Sequence, residues 1–376
     1  MQFLYEYGLF LAKVATVVVA ILLIVGGIVR ARQHRHQPAP GEIEVRNLSE
    51  EYKDLTDTMY AEILDLDEYK ERHKAEEKRE KEEAKARKRL AKQAQKKAAQ
   101  LTESEQSDED GDDSEDDEPA RKPRAFVLNF YGDMEASSVQ CLREEVTAVL
   151  AVAEKEADDQ VILRLESPGG LVHSYGHAAS QLQRIRDAGL PLTAVVDEIA
   201  ASGGYMMACV ADKIVSAPFA VIGSIGVVAE LPNFNRLLKR FDIDYEQHTA
   251  GQFKRTLTMF GENSDEGRRK FQQELEDTHR LFKAYIQQHR GAVDIEKVAT
   301  GEHWYGTQAL ELGLVDELQT SDALLQSLYD SHDVFEVNYE FRKTLADRLS
   351  LAALMTADKL LLRWWQRGSS THAFKR

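Results

Sequence analysis

Cysteine is scarce in this chain, because only Cys141 and Cys209 occur among its 376 residues. Two cysteines cannot build a disulfide framework, which excludes the class of small secreted, disulfide-rich scaffolds. No cluster of metal-ligating side chains accompanies either cysteine, so the sequence does not predict a zinc finger. The chain is long enough for a well-buried core, and its length alone suggests about two domains.

A surplus of positive charge is also lacking, because the formal net charge is −16. This balance argues against a nucleic-acid-binding protein. Most of the negative excess lies in an acidic tract at residues 103–118, which contains 11 acidic residues and no basic one. Residues 71–97, just before it, carry twelve Lys or Arg against six Glu. The net charge therefore averages over segments of opposite sign.

Charged side chains are almost absent from residues 8–29, where Lys13 is the only one and lies near one end. Twenty-two residues of this kind can cross a bilayer as a helix. The competing interpretation, a cleaved signal peptide, requires a basic start, a shorter apolar stretch and a small-x-small cleavage site. Three arginines between positions 30 and 35 follow the apolar run. They favour a retained membrane anchor over residues 1–36. By the positive-inside rule they argue for a cytoplasmic location of the rest of the chain.

Apolar side chains are also few in the middle of the chain, so residues 37–123 are predicted to form a charged spacer. Residues 50–100 are rich in Glu, Lys, Arg, Ala and Gln, a composition that suits a solvated helix stabilised by pairs such as Glu77 with Lys81. The acidic tract that follows repels itself and is expected to be disordered. The basic segment before it is a candidate for contact with anionic lipid headgroups.

From residue 124 to residue 335, short apolar runs alternate with helical periodicity. Strands are predicted at residues 125–130, 161–167, 192–197 and 213–217. Helices are predicted at residues 139–156, 172–188 and 203–211. This alternation implies βαβ units and an α/β domain with a largely parallel sheet. Ligands bind such sheets beyond the C-terminal ends of the strands.

One strand end continues as Ser167-Pro168-Gly169-Gly170 and opens a helix. Pro168 has no N–H, while the two glycines allow unusual backbone angles and a close approach by another part of the chain. Amides at such a place can bind a developing oxyanion, although the same residues also suit a plain strand-to-helix turn. The segment is not a dinucleotide-binding fingerprint, because G-x-G-x-x-G is absent.

A second strand end places Ser202 between a small-residue turn and an apolar helix. Its hydroxyl suits two roles, the N-cap of that helix or a nucleophile whose flanking glycines leave room for a substrate carbonyl. A serine nucleophile needs a base, and the histidines of the domain show no triad context. The i, i+4 pair His173 and His177 lacks the Glu of an H-E-x-x-H metal site. Lys254, beside Phe253 in a glycine-containing loop, can act as a base if burial keeps its amine neutral.

These motifs resemble those of the signal peptide peptidase A family of membrane serine proteases, and most closely its SohB branch. The matching blocks are ESPGG, ASGGYMMACVADKIVSAPFAVIGSIGV, GQFKR and GEHWYGTQALELGLVDEL, all in the family's order. The resemblance as a whole covers about residues 125–329. The short apolar anchor is also similar to that of SohB. The resemblance implies a single-pass protein of the bacterial cytoplasmic (inner) membrane. Members of the family often work outside the cytoplasm, whereas the arginines after the anchor argue for the inside, so the side of the membrane that the domain faces stays open.

The resemblance further implies the Clp protease/crotonase-like fold and a Ser-Lys dyad. Ser202 is then the nucleophile, Lys254 the general base and Ser224 a residue that helps to hold the lysine, while the amides of Gly169 and Gly170 form the oxyanion hole. Neither a metal nor another cofactor is needed. A single copy with serine before lysine is similar to the short members that assemble as rings, which implies a homo-oligomer, with an octamer as the expected size.

The lysine loop departs from the family's pattern. Many members read closer to Ser-Gly-Lys-Tyr-Lys, whereas this chain has Ala250-Gly251-Gln252-Phe253-Lys254. Only one lysine of the block remains, which leaves no ambiguity about which lysine is the candidate base.

Residues 336–376 form the last predicted segment, with leucines at helical spacing and Trp364 and Trp365 near its end. Its charged side chains exclude a bilayer span. An amphipathic helix is expected, and two interpretations stay open: a helix lying in the membrane interface, or one packed on the domain or on a neighbouring subunit.

The leading hypothesis for the function is a membrane-anchored serine endopeptidase that hydrolyses peptides through an acyl-enzyme. Apolar peptides or signal-peptide remnants are the substrates that the resemblance implies. A catalytically silent membrane scaffold of the same fold and an acyl-CoA enzyme of the crotonase type are the alternatives. The expected partners are peptides, the lipid bilayer and further copies of the chain, without nucleic acid.

Overall fold

The computed structural model describes residues 41–76 and 121–341, together with residues 78, 79, 81, 82, 85 and 86. The predicted anchor, the acidic tract and the C-terminal segment after residue 341 lie outside the described residues. Within the described ranges, no helix combines the length and the apolar character needed to cross a membrane. The chain divides into two units, Glu44–Asn338 and a second one whose described residues are 41–43 and 339–341. The first unit contains nearly all of the described strands and helices.

Two sheets form in the described part of the chain. Their strands are β1 (Glu42–Asn47), β2 (Arg124–Tyr131), β3 (Gln160–Glu166), β4 (Leu192–Val196), β5 (Ile199–Ala201), β6 (Lys213–Ser216), β7 (Val221–Gly223), β8 (His303–Tyr305), β9 (Glu317–Leu318) and β10 (Asp333–Glu340). The large sheet has the strand order β1-β10-β2-β3-β4-β6-β9, and the small sheet has the order β5-β7-β8. From β10 to β9 every neighbouring pair of the large sheet is parallel.

Helices connect these strands. They are α1 (Leu48–Ile63), α2 (Val139–Val152), α3 (Val172–Asp187), α4 (Gly203–Ala208), α5 (Asn235–Arg240), α6 (Asp265–His289), α7 (Ile295–Val298), α8 (Gly306–Glu311) and α9 (Ser321–Leu328). Three of them begin at an Asn, Ser or Thr side-chain cap. Asn47 accepts a hydrogen bond from the Glu50 N–H before α1, Ser264 accepts one from the Gly267 N–H before α6, and Thr320 accepts one from the Ala323 N–H before α9.

The strands and helices predicted for the α/β domain are confirmed. Strands β2, β3, β4 and β6 agree with the four predicted strands to within one residue at each end. Helices α2, α3 and α4 begin where they were predicted and end up to four residues earlier. The strands are apolar almost throughout because both faces of a parallel sheet are covered.

Alternate residues of each central strand enter two different cores. Leu128 and Leu163 belong to the core on one face, which also contains side chains of α2, α3 and α4. Val127 and Ile162 belong to the core on the opposite face, which is closed by side chains of α1 and α9. This division follows from the two-residue period of a strand.

The folded unit differs from the predicted domain at both boundaries. β1 and α1 are both folded elements, although both were predicted as part of the spacer. β1 lies at the edge of the large sheet beside β10, and Tyr52 of α1 stacks on Tyr329 with 4.5 Å between the ring centroids. β10 continues to Glu340, beyond the boundary predicted at residue 335. The residues of β1 are nearly all exposed and partly charged, as is common for an edge strand, and they therefore resembled the spacer.

The small sheet joins the two strand ends that the sequence marked as functional. β5 pairs in parallel with β7, and β7 pairs in antiparallel fashion with β8. Directly after β3, the Ser167 N–H donates to the Ile199 carbonyl at 2.8 Å, and the Ala201 N–H donates to the Ser167 carbonyl at 3.0 Å. The chain after β3 is thereby held beside the chain that leads into Ser202.

Candidate active site

Ser202 occupies a strained backbone position between β5 and α4. Its φ of 52° lies in the left-handed region, which residues other than glycine rarely adopt, and its ψ is −117°. The Ser202 N–H donates to the Gly223 carbonyl at 2.7 Å, and the Ser202 carbonyl accepts from the Met206 N–H at 3.0 Å. Strain of this kind persists where the surroundings fix it, and it is concentrated at functional sites.

The hydroxyl group of Ser202 does not cap the helix that follows. No side-chain hydrogen bond from Ser202 caps α4, and Oγ has no hydrogen-bond partner among the described residues. The residue itself is half-buried. Of the two roles that the sequence left open, the N-cap is therefore not adopted, and the oxygen atom is available for chemistry.

Gly169 lies directly against Ser202. Its φ is 85°, and a methyl group placed on it would lie 2.6 Å from the Gly203 nitrogen and 2.8 Å from the Ser202 Cβ. A methyl group on Gly170 would lie 2.2 Å from the Met134 carbonyl oxygen. Both positions therefore require glycine, one for its backbone angle and both for the close approach of neighbouring backbone.

The amides of these two glycines have different surroundings. The Gly169 N–H donates to Ser167 Oγ at 3.1 Å. The Gly170 N–H has no hydrogen-bond partner within the described ranges, and the next amide, that of Leu171, donates to the Met134 carbonyl at 2.9 Å. An unpartnered amide in a glycine loop beside a serine is a candidate donor to an oxyanion.

Ser224 leaves β7 at the point where Ser202 leaves β5. Ala201 is paired with Gly223 in the parallel register of the two strands, so the serines that follow are neighbours. Ser224 also has a left-handed backbone, with φ at 50°, and its N–H donates to the Glu302 carbonyl at 2.8 Å. The structure thus brings together Gly169, Ser202 and Ser224.

Residues 227–263, here called the arm, lead from the small sheet to α6. The arm has internal hydrogen bonds, such as those from Asn233 Nδ2 to the carbonyls of Thr258 and Gly261 at 2.9 and 3.0 Å. Most of its large apolar side chains are nevertheless exposed: Val228, Leu231, Phe234, Leu237, Phe241, Ile243, Tyr245, Phe253, Met259 and Phe260. Such a concentration of exposed apolar surface is typical of an interaction site.

Lys254 lies in the arm and is exposed to solvent. Its N–H donates to the Gly251 carbonyl at 3.2 Å, which forms the turn. Among the described residues Nζ of Lys254 has neither a hydrogen-bond partner nor an ion pair, and no hydrogen bond connects it to Ser202 Oγ. The dyad of Ser202 and Lys254 that the resemblance implies therefore stays a prediction.

The histidines of the domain form no alternative catalytic group with Ser202. His279 Nε2 lies 3.2 Å from the Ile225 carbonyl oxygen, and His177 Nδ1 lies 3.5 Å from Gln181 Nε2. In the part of the chain that the structure describes, no group of three His, Cys, Asp or Glu side chains is arranged to hold a metal ion.

Glu166, which the sequence did not single out, holds the turn before β5. Its carboxylate accepts hydrogen bonds from the N–H groups of Asp197, Glu198 and Ile199 at 2.9 to 3.2 Å. Burial raises the pKa of Glu166, and the three amides oppose this shift without cancelling it. Only its position at the end of an apolar strand marked this residue, because its partners lie about thirty residues away.

The described residues thus form an α/β domain in which a strained serine with an unpartnered hydroxyl group lies beside a glycine loop at the C-terminal edge of a parallel sheet. The chain belongs to peptidase family S49. Residues 2–182 match the model "Peptidase family S49 N-terminal", and residues 184–334 match the model "Peptidase family S49". The resemblance noted in the sequence is thereby confirmed, and the protein is a serine-type peptidase.

Curated relatives support the same family. The chain is 48% identical over 358 residues to the probable protease SohB of Haemophilus influenzae, and the match covers 95% of each chain. It is 54% identical over 242 residues to the probable protease SohB of Buchnera aphidicola subsp. Acyrthosiphon pisum, covering 64% of this chain and 71% of the relative. A solved mutant of the 1510-N membrane-bound stomatin-specific protease, in complex with a substrate peptide, is similar with a TM-score of 0.38 and 15% identity, over 61% of this chain and 98% of that one.

Proposed function

We propose that this peptidase is a membrane-anchored endopeptidase that cleaves peptides through an acyl-enzyme on Ser202, with Lys254 as the general base. The geometry at Ser202 carries the proposal, because its Oγ is unpartnered and glycine backbone lies directly beside it. A serine nucleophile requires this combination of a free hydroxyl group, space for a carbonyl carbon and nearby amide donors. The parallel sheet with its small additional sheet supports assignment to the Clp protease/crotonase-like fold.

The chemistry follows from these two side chains. Ser202 Oγ attacks the peptide carbonyl while the neutral Lys254 amine takes the hydroxyl proton, and the unpartnered Gly170 N–H of the Gly169-Gly170 loop stabilises the oxyanion. The lysine then returns the proton to the leaving amine as the C–N bond breaks. A water molecule activated by the same amine hydrolyses the ester and restores Ser202. Serine and lysine supply every proton transfer, so the scheme requires neither a metal nor another cofactor.

Assembly of several copies is part of the proposal, because it completes the surroundings of Lys254. A lysine acts as a base when burial disfavours its charged form, whereas Lys254 is exposed in the single chain. The exposed apolar side chains of the arm offer a surface that a homo-oligomeric ring, with eight copies as the expected size, would cover. Covering the arm would also remove water from Lys254 and allow Ser224 to help hold it.

The membrane anchor and the substrate class belong to the same proposal. The apolar run at residues 8–29 supports a single-pass protein of the bacterial cytoplasmic membrane. An endopeptidase attached there meets apolar peptides such as signal-peptide remnants. A cysteine introduced into the acidic tract, probed with an impermeant thiol reagent on intact cells, reports which side of the membrane the domain faces.

The decisive experiment compares the full chain with its Ser202→Ala variant. Hydrolysis of an apolar fluorogenic peptide should fall by at least about 10³-fold, because the nucleophilic oxygen is removed. The circular dichroism spectrum and Tm should be retained. Full activity in purified Ser202→Ala would refute the assignment of Ser202 as the nucleophile.

Lys254 is tested in the same assay with a control from its own arm. Lys254→Ala should lose activity by about 10² to 10⁴-fold, the usual contribution of a general base. Lys239, which is also exposed in the arm and pairs with Glu262 at 3.1 Å, provides the control, because Lys239→Ala should keep its activity. Equal activities of the two variants would remove Lys254 from the mechanism.

A further inference from the structure

Two buried hydroxyl groups connect the Gly169 amide to the loop after β2. Ser167 and Tyr175 are both completely buried. The Gly169 N–H donates to Ser167 Oγ at 3.1 Å, Ser167 Oγ lies 2.6 Å from the Tyr175 hydroxyl oxygen, and the Tyr175 O–H donates to the Asp133 carbonyl at 2.8 Å. We propose that Ser167 and Tyr175 are positioning residues for the reaction at Ser202. The inference rests on the proposed function.

The two ends of this hydrogen-bond chain fix the direction of every bond in it. A carbonyl oxygen can only accept, so Tyr175 gives its single proton to Asp133. The Tyr175 oxygen then accepts the Ser167 proton, and the Ser167 oxygen accepts the Gly169 N–H. The reverse direction would leave the buried Ser167 hydroxyl proton without an acceptor, and an unsatisfied buried group costs about 1–3 kcal/mol. The hydrogen bonds therefore run in one direction, from the Gly169 N–H through Ser167 and Tyr175 to the Asp133 carbonyl.

The same pair of residues supports the first turn of α4, which carries the nucleophile. A methyl group on Gly203 would lie 2.4 Å from the Tyr175 ring, and one on Gly204 would lie 2.5 Å from the Ser167 carbonyl oxygen. The backbone that follows Ser202 thus rests directly on Tyr175 and Ser167. A displacement of the Ser167 or Tyr175 side chain would therefore shift both the glycine loop and the backbone at Ser202.

The glycine loop needs such a restraint because glycine loses more conformational freedom on folding than any other residue. An oxyanion donor lowers the barrier only if it is already aimed at the developing charge, and a misplacement of about 1 Å can cost about 10²-fold in rate. With the Gly169 N–H held by Ser167, the unpartnered Gly170 N–H is the loop amide left for the oxyanion. Two apolar side chains of the same volume as Ser167 and Tyr175 would fill the space, but they would not fix the orientation of the peptide group that carries the Gly169 N–H.

The test compares Tyr175→Phe and Ser167→Ala with two matched controls in the full chain. Tyr205 and Ser216 are also completely buried, and their hydroxyl groups donate to the carbonyls of Leu314 at 2.9 Å and Ala217 at 3.0 Å. Tyr205→Phe and Ser216→Ala therefore remove similar buried bonds that do not reach Gly169. We expect kcat to fall about 10- to 100-fold in the first two variants with KM changed less than about threefold, while the controls lose Tm without this loss of kcat.

The double variant Ser167→Ala/Tyr175→Phe supplies a second readout. Because both residues act through one chain of bonds, the double variant should lose no more kcat than about the larger single loss. Losses that simply add, or losses no larger than those of the controls, overturn the positioning role. If Ser167→Ala does not fold, Tyr175→Phe decides alone, since its ring still packs on Gly203.

The Ser202→Ala comparison separates this inference from the proposed function. Hydrolysis that depends on Ser202, together with kcat values of Ser167→Ala and Tyr175→Phe that match their controls, overturns the positioning role alone. Hydrolysis that does not depend on Ser202 overturns both proposals.

Discussion

The turn around Ser202 and the arm that carries Lys254 differ in how far the single chain determines them. At the turn, Ala200 and Gly203 are buried, and backbone hydrogen bonds hold Ser202 at a φ of 52°. In the arm, Val228 is 83% exposed and Phe241 is 66% exposed. The proposed nucleophile is therefore fixed by the fold of one chain, whereas the surroundings of the proposed base are incomplete in it.

This difference indicates that the two halves of the proposed dyad depend on different conditions. A serine that is held by hydrogen bonds on both sides keeps its position in an isolated chain. A lysine in a solvated arm becomes neutral at working pH only when something covers it. Substitutions near Ser202 should therefore act on the rate constant directly, whereas substitutions in the arm should act through assembly.

The largest effect is expected from a methyl group inside the fixed region. Gly169→Ala places Cβ against the Gly203 nitrogen and the Ser202 Cβ, at a φ of 85° that alanine disfavours. Peptidase activity should fall by more than about 10²-fold, because the loop and the nucleophile separate. Gly176 is the control, since Gly176→Ala in α3 meets no atom within 4 Å. Normal activity of Gly169→Ala would show that the contact with Ser202 is not needed.

The second prediction concerns Asp159, at the other end of β3. It tests whether a loss of stability alone lowers peptidase activity as Gly169→Ala is expected to do. Asp159 is completely buried and accepts hydrogen bonds from Arg121, Arg124 and the Glu154 N–H. Burial by itself would raise the pKa of Asp159, but these bonds outweigh it and lower the pKa to about 2. Asp159→Asn should therefore lower the free energy of unfolding by about 2 kcal/mol at pH 7 and leave kcat unchanged.

The pH dependence of Asp159 has a defined sign. A depressed pKa stabilises the fold above the unfolded pKa of about 4, and this contribution disappears as the pH falls through about 2. In urea unfolding, the free energy of unfolding of the wild type should fall between pH 5 and pH 3. That of Asp159→Asn should fall less, because the variant lacks the ionised carboxylate. Parallel curves for the two proteins would contradict the ion-pair account.

The smallest effect on the isolated chain is expected in the arm. Phe241→Asp changes an exposed side chain, so the stability of the single chain should change by less than about 0.5 kcal/mol. Its assembly should weaken, and at micromolar concentration the activity should fall about 10-fold, because a charge replaces apolar contact area. Sedimentation velocity in detergent measures the assembly directly.

Leu281, which is 71% exposed on α6, provides the matched surface control for the arm. Leu281→Asp removes a similarly exposed apolar side chain outside the arm. It should leave the mass of the assembly and the peptidase activity unchanged. If Phe241→Asp and Leu281→Asp behave alike, the arm is not the interface, and another explanation for its exposed apolar residues is needed.

The sequence was most informative where the determining features are local. The apolar runs of β2, β3, β4 and β6 and the periodicity of α2 and α3 identified the α/β domain, because burial of both sheet faces leaves a pattern in each strand. The glycines around position 169 and the small residues beside Ser202 marked two strand ends, since unusual backbone angles demand particular residues. The motifs were also sufficient to identify the family.

Other features depend on residues that are distant in the chain, and these only the tertiary structure decided. The sequence left Ser202 as either a cap or a nucleophile, and only the folded backbone shows its hydroxyl unpartnered. Edge strand β1 joins β10 almost 300 residues later, and its charged pattern resembled that of a spacer. The bonds from Gly169 through Ser167 and Tyr175 to Asp133 also required the fold, because buried hydrogen bonds have no periodicity along a sequence. They are determined when separate strands and helices come together around one core.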